Sequence, residues 1–179
     1  MKIGFIQPIG LGDIIIALPI AKHFAVQGHQ VIWPILDRYL SNFATATPYV
    51  EFVPVAETDD LTWIFETPLE LLRSRGCQGI LPLFSALQVP NYPVNRTLSS
   101  ILKFDEYKYA VAEVPFREKW TLDIVRDHRR EDALFQSVVT SKRYAVCHLQ
   151  GSSARADIPL DSIAASYDQV IEITDRTNC

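Results

Sequence analysis

The sequence is short of the residues that announce a metal or a redox cofactor. Its 3 cysteines, Cys77, Cys147 and Cys179, are widely spaced and form no CxxC pair. That excludes a zinc-knuckle pattern and argues against a disulfide framework; free thiols in a reducing cytoplasm are the simplest account. Cys77 and Cys147 lie beside or within apolar runs and read as small core residues. The 4 histidines, His23, His29, His128 and His148, show no metal-ligand spacing with a cysteine or carboxylate. Positive charge is not in excess either: 17 Lys and Arg against 21 Asp and Glu leave a net charge of −4. A general nucleic-acid binder would carry a basic face, so none is expected as a partner. The longest apolar run, 14–21, holds Pro19 and is too short to span a bilayer. No basic-then-apolar leader precedes the first strand, so the expected location is cytoplasmic, with peripheral contact to a membrane surface still open.

Glycine-based phosphate motifs are missing as well. The turn Pro8-Ile9-Gly10-Leu11-Gly12-Asp13 lacks the third glycine of GxGxxG, and Asp13 puts negative charge where a pyrophosphate would sit. No Gly-Lys-Ser/Thr follows, so it is not a P-loop, and no GxSxG turn offers a serine nucleophile.

What is present is a globular α/β pattern. Hydrophobic residues make up 48% and charged residues 21% of 179 residues, enough to build a core in one ordinary domain plus part of another. The apolar run 3–6 reads as a strand buried on both faces, 14–26 as a helix closed by Gly28, and 30–35 as a second strand. Further strands are expected at 50–55, 79–84, 144–149 and 169–174. Helices are expected at 37–45, around PLELLRSRG, at 97–104, from Pro159, and over 118–137, the last with room for a break and with Trp120, Ile124, Val125, Leu134 and Phe135 on a face packed on the body. Trp63-Ile64-Phe65 and Tyr107 to Val111 read as short extended or irregular segments. Continuous apolar strands alternating with helices imply a parallel sheet covered on both faces.

Three stretches carry candidate chemistry. Gly10 and Gly12 let a ligand approach the main chain. Asp13 stands where a helix begins, as a cap of its free N–H groups or as a carboxylate able to take a proton from a hydroxyl. Val89 to Arg96, with Asn91 and a single charge at Arg96, is either a ligand loop or a surface connection. Gly151-Ser152-Ser153 follows a strand directly; two hydroxyls and exposed N–H groups there suit a phosphate, with Arg155 as a charged partner, or form a plain polar turn. His148 reads as a satisfied core histidine, and the alternating charges of 126–132 as a solvated face.

KIGFIQPIGLGDIIIALPIAK and YAVCHLQGSS, in that order, together resemble the two half-opening motifs of the glycosyltransferase family that contains the ADP-heptose:lipopolysaccharide heptosyltransferases (glycosyltransferase family 9). Gly12, Asp13 and Pro19 carry the first motif and Tyr144 to Ser153 the second. The resemblance implies the amino-terminal half of a GT-B fold, with a Rossmann-like acceptor domain at 1–142 and the start or remnant of a donor domain at 143–179. It implies Asp13 as the base that deprotonates an acceptor hydroxyl, and the residues read above from the turn and the loop, Gly10, Gly12, Asn91 and Arg96, are then expected on the acceptor side. Gly151, Ser152, Ser153 and Arg155 would contact the diphosphate of a nucleotide-sugar donor. Neither metal nor cofactor is implied, and the acceptor would be a glycan or glycolipid. The family often has a lysine shortly after the phosphate loop, where this chain has Asp157. Because the helix expected after the last strand does not follow, the second domain reads as unfinished and the chain alone as inactive or nearly so. A non-catalytic carbohydrate- or nucleotide-binding module is the first rival, and an unrelated Rossmann-like reductase or methyltransferase the second. An unfinished sheet edge suits pairing into a homodimer.

Overall fold

The structure, a computed structural model, describes residues 1–85, 92–151 and 154–173. The chain divides into two compact units, Met1–Arg126 and Asp127–Cys179.

The first unit is built on four parallel strands in the order β3-β2-β1-β4: β1 (Lys2–Ile6), β2 (Gln30–Leu36), β3 (Val50–Val55) and β4 (Gly79–Pro82). β1 and β2 are central and almost wholly buried, which is why they read as unbroken apolar runs. Alternate residues serve opposite faces. Ile3, Phe5, Val31, Trp33 and Ile35 pack with Ile14, Leu18 and Ala21 of α1 (Leu11–Val26), while Ile6 and Ile32 pack with Leu72 of α3 (Glu66–Ser74). The helix α2 (Asp37–Phe43) adds Phe43 to the first face. Helices therefore cover both faces of a Rossmann-like parallel sheet, as the apolar pattern requires.

The chain runs outward from β1 to β2 and β3, then returns past β1 to place β4 on its other side. The reversal creates a crevice between the carboxyl ends of β1 and β4, where open α/β sheets bind their ligands. Two short helices follow β4, namely α4 (Arg96–Ile101) and α5 (Phe104–Val111). The expectation of an extended or irregular segment at 107–111 is thus corrected. Glu106 closes the first turn of α5 by accepting the Lys103 N–H at 2.9 Å, and Tyr107 and Tyr109 are buried. Trp63-Ile64-Phe65 is likewise not extended: Thr62–Ile64 form a 3₁₀ turn, set by Asp60, whose carboxylate accepts the Thr62 N–H at 3.1 Å.

Pro19 sits inside α1 and cannot donate to the carbonyl of Ile15. At the next carbonyl the Tyr109 hydroxyl donates to Ile16 O at 2.9 Å, tying α5 to α1 where the helix is weakened. The surface helix expected over 118–137 with room for a break is broken: a 3₁₀ turn at Phe116–Trp120 and α6 (His128–Val138) are separated by the irregular 121–127. Trp120, expected to pack on the body, is 77% exposed, with the Lys119 ammonium 5.0 Å from its ring centroid.

The second unit holds α6, β5 (Tyr144–Cys147), α7 (Leu160–Ala164) and β6 (Gln169–Glu172). β5 and β6 pair in parallel from Tyr144↔Gln169 to Cys147↔Glu172. The Gln169 side chain donates to Val138 O at 2.8 Å and accepts from Thr140 N at 2.9 Å, joining the end of α6 to β6.

Gly4 of β1 allows the close approach of α3. A Cβ added there would stand 2.7 Å from both methyls and 3.0 Å from Cγ of Leu72, which is fully buried, so that side chain would have to shift. Gly4→Ala is expected to destabilise the protein by about 1–3 kcal/mol through overpacking. Urea unfolding measures this, and an unchanged midpoint would show that α3 is not seated against β1 as described.

Candidate functional site

The site forms at the β1–β4 crevice and is assembled from three parts of the chain. After β1, Gln7 is fully buried, and its backbone carbonyl and both side-chain amide atoms are hydrogen-bonded. Its backbone carbonyl accepts the Trp33 indole N–H at 3.1 Å, and its side-chain amide donates to Ile9 O at 2.7 Å. The β1–β2 ladder runs only to Gly4↔Ile32, and Pro34, which has no N–H to offer, lies past it. The Trp33 side chain thus serves the Gln7 carbonyl where the strands part.

The turn then passes Gly10, whose φ of 85° and ψ of 100° favour glycine. Gly10 O accepts the first helical bond of α1, from Ile14 N at 2.9 Å. Gly10 is therefore the residue that precedes the helix, and Asp13 is its third helical residue rather than a cap. The Asp13 side chain folds back over Gly10: a Cβ there would meet Oδ2 at 2.6 Å and Cγ at 3.2 Å. A side chain here would be strained by the backbone angle and would displace the carboxylate.

Asp13 Oδ1 is held by Lys108 Nζ at 2.9 Å. The Lys108 side chain is 1% exposed and that of Asp13 is 32% exposed. The same ammonium donates to Gln7 Oε1 at 2.7 Å and to Leu83 O, just past β4, at 3.2 Å. Three acceptors take three protons, so the charge is fully hydrogen-bonded. Burial lowers the Lys108 ammonium below its ordinary value of 10.5, against the opposing charge and hydrogen bond of Asp13 and the charge of Asp105. Among the described residues no buried side-chain nitrogen or oxygen lacks a partner.

Tyr92 crosses the same crevice, its hydroxyl accepting from Phe84 N at 2.9 Å and donating to Ile6 O at 3.1 Å. Burial pushes that hydroxyl up in pKa, and the hydrogen bond from Phe84 only partly offsets this. Asp105, one turn before Lys108, is held low by the Lys119 ammonium at 2.6 Å.

Sequence reasoning located Asp13 and Gly10 but missed Gln7, Tyr92 and Lys108. The available signal for Lys108 was a cation among apolar and aromatic neighbours in YKYAVA, 107–112, where a buried charge demands a counter-ion. Gly12 is exposed and an added Cβ would meet nothing within 4 Å, so packing does not account for its glycine. Arg96 begins α4, exposed, behind the Asn95 cap that accepts from Leu98 N at 3.1 Å; the ion pair of Asp13 is with Lys108. Asn91, Ser152 and Ser153 lie outside the described residues. In the second unit Gly151 N donates to Ala154 O at 2.8 Å, and Arg155 pairs with Glu172 at 2.7 Å. His148 is exposed rather than a core histidine, because it lies just past the end of β5.

The lowered Lys108 value has a thermodynamic sign. Between its folded-state value and 10.5, the unfolded chain holds a proton that the native state has released. Stability contributed by this group therefore rises with pH across that window. Urea unfolding at stepped pH is expected to show a more positive slope for wild type than for Lys108→Met, and equal slopes would contradict the burial of a charged Lys108. Gly10→Ala is expected to cost about 1–3 kcal/mol from the positive φ alone, read in the same assay.

No family model and no curated protein matches this sequence. Among solved structures, the chain is similar to the bacterial iron-containing dodecameric glycosyltransferase TibC from enterotoxigenic E. coli H10407, with a TM-score of 0.56 and 13% identity. The likeness covers 96% of this chain and 41% of that one, so this chain spans less than half the length of its structural neighbour. Among the described residues no group of three or more His, Cys, Asp and Glu is arranged to hold a metal ion, and no helix is long and apolar enough to cross a membrane. What the comparison establishes is a distant structural match to a glycosyltransferase on a Rossmann-like α/β fold.

Proposed function

We propose that the chain is the acceptor-side part of a sugar-transferring enzyme, with Asp13 as the base. One observation carries the reading: a half-exposed carboxylate sits on a glycine turn at the β1–β4 crevice, held by a buried, fully hydrogen-bonded lysine. A carboxylate there repels a phosphate and welcomes a neutral hydroxyl, and the distant likeness to a glycosyltransferase supports the same chemistry. In the step envisaged, the acceptor O–H gives its proton to Asp13 while its oxygen bonds the anomeric carbon of a nucleotide-sugar. The nucleotide diphosphate leaves from the opposite side with the bonding electrons, and the configuration inverts.

The finer reading is heptosyltransferase-like and of GT-B type, with 1–142 as acceptor domain and 143–179 opening the donor domain. Gly151, Ser152, Ser153 and Arg155 would then meet the donor diphosphate. For Arg155 this means exchanging Glu172 for the phosphate; for Gly151, contact by a group other than its N–H, which the turn uses. The acceptor is a glycan or glycolipid hydroxyl approached past Gly12, Asn91 and Arg96. The structural neighbour is a dodecamer, which favours self-association here too. A second reading, a carbohydrate- or nucleotide-binding module without transfer, is favoured by the second unit, where Arg155 is paired with Glu172 and the Gly151 N–H is used by its own turn.

The two readings part in one assay. ADP-, UDP- and GDP-sugars are offered with glycan acceptors to wild type and to Asp13→Ala. Transfer that falls by roughly 10²–10⁴-fold in Asp13→Ala is expected of a lost general base. Undiminished transfer would remove Asp13 from the chemistry. Binding by calorimetry with no transfer in either protein would favour the module.

A further inference from the structure

We propose that Lys108 is a positioning residue for this site: by clamping Asp13 Oδ1 it leaves Oδ2 as the single carboxylate atom presented to a ligand. This rests on the reading of Asp13 as proton acceptor and adds to it the group that aims it.

The geometry supports positioning and excludes the other roles a lysine could take. Lys108 is 1% exposed, so it cannot attack a substrate or bind a phosphate without rearranging the crevice. Its three protons are committed to Gln7 Oε1, Asp13 Oδ1 and Leu83 O. Two of those acceptors follow β1 and β4 directly, so the ammonium is fixed by the sheet itself rather than by a mobile surface. A carboxylate at 32% exposure would otherwise sample several rotamers, and ordering it beforehand removes that entropy from the reacting complex. Oδ2 is the oxygen that overhangs Gly10. No further hydrogen bond or ion pair to Asp13 is formed among the described residues, so Oδ2 is left with its lone pairs for an incoming hydroxyl. The charged groups that act on Lys108 are Asp13 on α1 and Asp105 on its own helix, and Asp105 is already matched by Lys119. Burial holds the ammonium below the ordinary lysine value, so raising the pH loosens the clamp before exposed lysines titrate.

The test reads Asp13 directly in the full chain. Three-bond NMR couplings from Asp13 Cγ to its own backbone nitrogen and carbonyl carbon report the side-chain rotamer. Wild type is expected to show one rotamer, and folded Lys108→Met an average of several. The same averaging is expected in wild type as the pH passes through the Lys108 titration, which decides the matter if Lys108→Met does not fold. Couplings unchanged by both would overturn the proposal. With a donor and acceptor that wild type uses, Lys108→Met is expected to lower kcat by roughly 10²-fold, the scale of a misplaced reacting group, with acceptor KM little changed. An unchanged kcat would overturn the role in catalysis. If wild type transfers no sugar while the couplings behave as expected, the transfer reading fails and the clamp on Asp13 stands.

Discussion

The constraint on which the rest of this site depends is the cost of a charge buried among strand ends. An ammonium taken out of water is tolerated only with a counter-ion and a full set of acceptors. Lys108 finds them in Asp13, Gln7 and Leu83, and meeting that demand fixes several other features. Gln7 must be buried with its amide oxygen turned to the crevice. The turn after β1 must fold the Asp13 side chain back, and Gly10 must be a glycine for the carboxylate to lie over it. α5 must be a helix docked on α1, which Tyr109 secures through the Ile16 carbonyl. A buried pair of this kind is a poor device for stability, since apolar residues of the same size would do as well. Its presence at the point where the strand order reverses is the observation on which the proposed role of Asp13 rests.

The sheet was legible in the sequence because its central strands are buried on both faces and so appear as continuous apolar runs. The glycine turn after β1 was legible as a turn between a buried strand and a helix, but spacing alone made Asp13 a helix cap as readily as a proton acceptor, and it is the third residue of the helix. Lys108 was not legible, since its partner Gln7 lies 101 residues away and no local pattern joins them. The helix that carries it was also hidden: Tyr107, Tyr109 and Val111 favour strands by type, and the Glu106 cap together with packing onto α1 makes the segment helical. Trp63 and Ile64 misled for the same reason, their aromatic and branched character being overruled by the Asp60 side chain that starts the turn. Trp120 was expected inside and is outside, because a large apolar residue does not by itself specify burial.

The two candidate sites differ in how completely they are formed. The crevice in the first unit is satisfied and ordered around one charge. In the second unit, Arg155 is occupied by Glu172 and Gly151 by its own turn, so a donor phosphate would have to displace existing partners. This chain spans 41% of the glycosyltransferase it is structurally similar to, and of the two sites only the first has its charge and every acceptor already in place.

The claim at the centre of this account is that Asp13 and Lys108 form one energetic unit. A double-mutant cycle with Asp13→Asn, Lys108→Met and the combined variant, each unfolded in urea, measures that directly. The account predicts a coupling of about 0.5–3 kcal/mol, the double variant being less destabilised than the two single losses together. Strict additivity would contradict it, because two residues whose effects simply add are not holding one another.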